Sequence, residues 1–164
     1  MELYEKQIQA IVKSLKTEMY IWYAALAILA VMSVFFATSM QKLEPGLTIT
    51  LQSILLLLML LGLPGTFMWF RNKMTALLKE TDIPKRLNRY EGYSRIRQAI
   101  FFAFGLMVLF MHVFTIMKGA PMLFAVVILL TMFITPSRGR LIMEAGVAKL
   151  EEEVEKNEED MGSE

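Results

Sequence analysis

The chain has 164 residues, 55% of them apolar, and a mean hydropathy of +0.48, with Leu, Met, Phe and Ile gathered in blocks; that composition excludes an ordinary soluble domain and points to an integral membrane protein with one compact bundle. The formal net charge of +1 argues against a nucleic-acid partner. The absence of cysteine removes disulfides, thiolate nucleophiles and thiolate metal sites.

Residues 1–18 repeat apolar side chains at three- and four-residue intervals, Tyr4, Ile8, Ile11, Val12 and Leu15, a stripe that runs on to Met19. Lys6, Lys13, Lys16 and Glu5 fill the other face, the pattern of an amphipathic helix lying on the cytosolic surface. The first apolar stretch, 19–40, would be about 33 Å long as a helix, enough to cross a hydrocarbon layer of about 30 Å. Tyr20, Trp22 and Tyr23 at its start suit the headgroup level. A cleaved secretory signal fits less well, because the polar region before the apolar block is too long.

The second span is expected over 47–70, after a Pro45-Gly46 turn, with Thr48 or Thr50 as its cap. Pro64 inside it removes a backbone donor and predicts a kink. The segment 71–97 reads as a basic cytosolic loop carrying eight Lys and Arg against Glu80, Asp82 and Glu91, net +5. Within it Thr81-Asp82 before Pro84 is a helix-start signature, with Ile83, Leu87, Tyr90 and Ile96 along one side. Arg86, Arg89, Arg95 and Arg97 are the expected contacts to anionic lipid headgroups, although the positive-inside rule accounts for such a cluster without a dedicated site.

The third and fourth spans, 98–117 and 120–135, form a hairpin around Lys118-Gly119, with Pro121 opening the return helix. The fourth would be only about 24 Å long, so it must borrow flanking residues or thin the bilayer. Small residues four apart, Ser33 with Ala37 and Ala99 with Ala103, are candidate close-packing faces. The remainder, 136–164, reads as a cytosolic helix capped by Ser137, followed by an acidic tail.

Lys and Arg number three, one, eight, one and four in the five segments between and around these spans. Fifteen of the 17 therefore fall in one compartment, and only Lys42 and Lys118 in the other. The expected fold is an all-α integral membrane protein: a four-helix transmembrane bundle of two hairpins with amphipathic cytosolic helices, both termini inside. Brevity and the lack of an organelle signal favour a bacterial inner membrane.

No span carries Asp or Glu, so His112 is the one group in them that titrates near neutrality, and an intramembrane ionisable residue is a functional candidate. Met107 and Met111 on nearby turns would offer soft ligands beside it. Neutral His112 hydrogen-bonded to a neighbouring helix explains the same residues, so no metal ligand, cofactor or catalytic residue is assigned. No carboxylate pair, phosphate-binding glycine loop or nucleophile elbow occurs. The expected function is that of a non-enzymatic accessory or assembly subunit of a larger membrane complex. Its partners would be the lipid bilayer and another membrane protein or a second copy. The alternative is a small homo-oligomeric transporter or channel with His112 in the pathway.

Overall fold

The structure is a computed structural model that describes residues 2–39, 43–115 and 119–147. Five helices and no strand occur among the described residues: α1 (Glu2–Ser39), α2 (Pro45–Leu77), α3 (Ile83–Thr115), α4 (Ala120–Phe133) and α5 (Arg138–Glu144). Of these, α1, α2 and α3 are each long and apolar enough to cross a membrane. Large apolar side chains point outward along them and along α4: Phe35 is 71% exposed, Leu60 72% and Phe133 70%. Such a surface is stable in lipid and not in water.

No break in the helix marks the expected border at residue 18 between a surface helix and a first span, because α1 runs unbroken for 38 residues. No Gly or Pro interrupts it, so nothing in the backbone stops the helix where the side chains turn from amphipathic to apolar. The basic segment 71–97 is likewise mostly helical. The end of α2 and the start of α3 reach into it, and only Leu78 to Asp82 lies between them. Asp82 opens α3: its carboxylate accepts from the Lys85 amide at 3.3 Å, and its carbonyl from the Arg86 amide at 2.9 Å. The hydrogen bonds from the Lys85 side chain and amide hold that carboxyl below its ordinary range.

The start of α2 differs from expectation as well. Its N-cap is Glu44, without a side-chain hydrogen bond. Thr48 and Thr50 instead donate back to the carbonyls of Leu43 and Gly46, because Pro45 already starts the helix and leaves them inside it. The helix then continues through Pro64.

Helix α3 is the hub, with α1, α2 and α4 each packed against it. Two cores result. In the apolar half, the i+4 ridge of Leu55, Met59 and Leu63 on α2 meets Phe101, Phe104 and Val108 of α3, with Val127 of α4. Gly62 makes room here, since a methyl group on it would overlap the tip of the Phe104 ring and force that side chain to shift. In the polar half, Ile8, Ile11 and Leu15 of α1 pack with Phe70, Met74, Leu87 and Tyr90, and with Leu141 and Ala145 in and just after α5. This second core makes the basic ends of the helices one packed headpiece.

Helix α4 has 14 residues, about 21 Å, and α5 follows at an angle of 76°. The start of α4 shares a cleft with His112, and its end, Thr131 with the capping Ile134, lies with Met19, Trp22 and Gln98. It therefore runs antiparallel to the apolar part of α3. Beyond it, α5 packs on the N-terminal part of α1, with Arg138 paired to Glu5 at 2.7 Å. Of the two small-residue faces, one is packed and one is not: Ser33 and Ala37 are buried, whereas Ala99 and Ala103 face outward.

Candidate functional site

The most concentrated polar chemistry among the described residues lies in the headpiece, on the inward face of α3. Arg86, Tyr90, Ser94, Arg97 and Gln98 are all buried there. The eleven-residue separation of Arg86 and Arg97 is about three helical turns, which puts both guanidinium groups on one side. Ile96, expected on that side, is exposed instead.

Arg86, 2% exposed, closes the ends of two helices. It donates through Nη2 to the carbonyl of Leu78 at 2.8 Å and through Nε to that of Glu80 at 2.8 Å, with a second contact from Nη2 to Glu80. Nη1 donates to the carbonyls of Ala145 at 3.1 Å and Gly146 at 3.3 Å. Carbonyls at helix C-termini lack intrahelical donors and carry partial negative charge, so a planar cation with five donors suits the gap between α2 and α5. Gly146 makes the approach possible. Its φ is 62°, and a side chain on it would strike Leu78 and crowd Arg86.

Arg97, 3% exposed, lies over the Phe70 ring at 3.6 Å. The Glu144 carboxylate is 3.9 Å from its Nη1, accepts from the Tyr90 hydroxyl at 2.9 Å and lies 3.6 Å from Arg140 Nε. One carboxylate thus ties α5 to α3. The Nε of Arg97 and Oε1 of Gln98 are buried without a hydrogen-bond partner. Gln98 Nε2 reaches the Leu15 carbonyl at 3.4 Å.

The four arginines expected at lipid headgroups are placed differently from one another. Arg86 and Arg97 are inside the protein. Arg89 is exposed and pairs with Glu80 at 3.0 Å; Arg95 is exposed and bridges Glu91 at 2.8 Å and Glu18 at 2.9 Å. Arg95 also donates to Ser14 on α1. A basic cluster is normally solvated, and nothing in its composition separates the inward pair from the outward one; the three-turn spacing of Arg86 and Arg97, in register with Tyr90 and Phe101, is the signal that does.

His112 sits near the end of α3, partly buried, beside a cleft of about 140 Å³ formed with Ala30, Ser33, Pro121 and Phe124. Its Nδ1 is shielded and has no hydrogen-bond partner. Met107 and Met111 line a different cleft, between α2 and α3. The hydroxyls of the apolar half are engaged separately. Thr131 accepts from Tyr23 at 2.8 Å, and Thr115 accepts from Gln52 at 3.2 Å. His112 and Thr131 line different cavities. Pro64 is exposed on α2 and lines neither of them. Among the described residues no three His, Asp or Glu side chains converge as a metal site. No family model, curated protein or solved structure matches the chain.

Proposed function

We propose that the chain is a four-span membrane protein with its headpiece and both termini in the cytoplasm, a bacterial inner membrane being the favoured setting. In that membrane it acts as a non-enzymatic accessory or assembly subunit of a larger complex. Three observations support four crossings. Helix α4 runs alongside the apolar part of α3, α5 returns to the N-terminal half of α1, and the Lys and Arg excess gathers at that end.

The packed headpiece carries the functional reading. Three membrane helices continue past their apolar stretches into a core of their own, locked by Arg86 and by the Glu144 node. Chains that only fill a membrane need no such structure, whereas a subunit that holds a partner in register needs a rigid surface beside the bilayer. His112 and Thr131 line separate cavities, which favours this reading over a conduction path joining them. Affinity capture of the full chain in mild detergent tests it. The expected result is a membrane protein retained at fixed stoichiometry; elution of the chain alone, or only with copies of itself, would sink the accessory role.

A further inference from the structure

The cations of the headpiece divide by what they already hold. Arg86 and Arg97 face the interior, and Lys85, Arg89, Arg95 and Arg138 are paired with Asp82, Glu80, Glu91 and Glu5 respectively. Lys6, Lys13, Lys16 and Lys79 have no carboxylate partner among the described residues, and neither do Arg71 and Lys73, both exposed at the end of α2. Both follow Phe70, the last residue of the long apolar stretch of α2, by no more than three positions. At the rise of a helix that places them within about 5 Å of the hydrocarbon boundary.

A second observation marks the same depth. Trp69 and Tyr93 meet edge-on with centroids 6.0 Å apart, and Lys73 Nζ lies 5.9 Å from the Tyr93 centroid. Both rings are half-buried. Amphipathic rings favour the headgroup level, and an ammonium resting on one of them keeps donors for an external acceptor. Arg71 and Lys73 are about 200° apart around α2 and flank its buried face, so each reaches outward on its own side.

We propose that Arg71 and Lys73, with Trp69 and Tyr93 framing the lysine, hold the phosphate headgroups of anionic phospholipids against the end of α2. The assignment rests on the membrane-spanning reading, and it moves lipid contact from the arginines of α3 to two boundary cations of α2 that lack acidic partners, one of them set against the Trp69 and Tyr93 pair. The chemistry is charge complementarity at a surface where each cation strengthens attraction to an anionic leaflet by about fivefold.

The test uses the full chain and its own tryptophan. With Trp22→Phe, Trp69 is the single indole. The protein is reconstituted in phosphatidylcholine vesicles containing rising fractions of either phosphatidylglycerol or phosphatidylcholine brominated on the acyl chains. The expected result is stronger quenching by the brominated phosphatidylglycerol. That preference should fall about fivefold in Arg71→Gln or Lys73→Gln, vanish in the double variant, and persist in Arg89→Gln. Equal quenching by the two lipids, or an undiminished preference in the double variant, overturns the proposal. Loss of the preference on adding millimolar inorganic phosphate would make this a site for the free anion and overturn it too. Absence of quenching by either lipid would remove the membrane reading itself, a result distinct from failure of the site.

Discussion

Arg86 shows how one side chain can decide whether two helices stay together. Its guanidinium donates to carbonyls on both sides of a gap between α2 and α5, and the contact with Ala145 is buried. Arg86→Ala is therefore expected to destabilise the headpiece by about 3 kcal/mol, since it removes several charge-assisted hydrogen bonds and orphans their acceptors. Arg86→Lys should recover only part of this, because an ammonium lacks the planar fork. Hydrogen exchange is the measurement: in the alanine variant amides of residues 138–147 should exchange faster, while those of α2 near Leu55 to Leu63 stay protected. Hydropathy alone does not distinguish Arg86 from Arg89, because it treats both as solvated. The distinction comes from which face of α3 the hub packing turns inward.

At the scale of the helices, hydropathy is a good guide to what exists and a poor one to where it stops. Three long apolar helices are legible because an uninterrupted run of Leu, Ile, Met and Phe has few alternatives in a chain of this composition. The ends are harder. A change from apolar to charged side chains does not end a helix, whereas capping or breaking residues do: Asp82 before α3, Pro45 at α2, and no such residue at position 18. Packing between helices is less legible still. Ser33 and Ala37 are buried, Ala99 and Ala103 have the same spacing yet face outward, and close approaches also occur at Gly62 against Phe104 and Gly105 against Leu26. Gly62→Val should accordingly push α2 from α3 and cost about 1–3 kcal/mol, read as a lower Tm in detergent. Combining it with Phe104→Leu should restore part of the loss, since the shortened side chain vacates the overlapped volume. Purely additive losses would show that the contact does not govern the fit.

For the whole molecule, orientation is the property that most constrains function. The absence of cysteine permits a direct test. A single cysteine at Leu43 is expected to react with an impermeant maleimide added outside intact cells, and one at Lys85 only after the membrane is opened. Both sites lie beyond the apolar stretches, and the Lys85 side chain is 67% exposed, so accessibility within the protein does not limit the reaction there. Labelling of Lys85→Cys from outside would invert the topology and move the headpiece, its polar node and the boundary cations to the opposite compartment.

The continuity of α1 has a mechanical consequence. Thirty-eight residues of helix make a rod about 57 Å long, containing neither Gly nor Pro to act as a joint. A rod of that length tilting by about 5° about its N-terminal end carries the far end sideways by about 5 Å. Force applied to the N-terminal turns is therefore delivered across the bilayer as displacement rather than absorbed by bending. A partner gripping the headpiece would feel, and could set, the lateral position of the Ser33 and Ala37 face near the other surface.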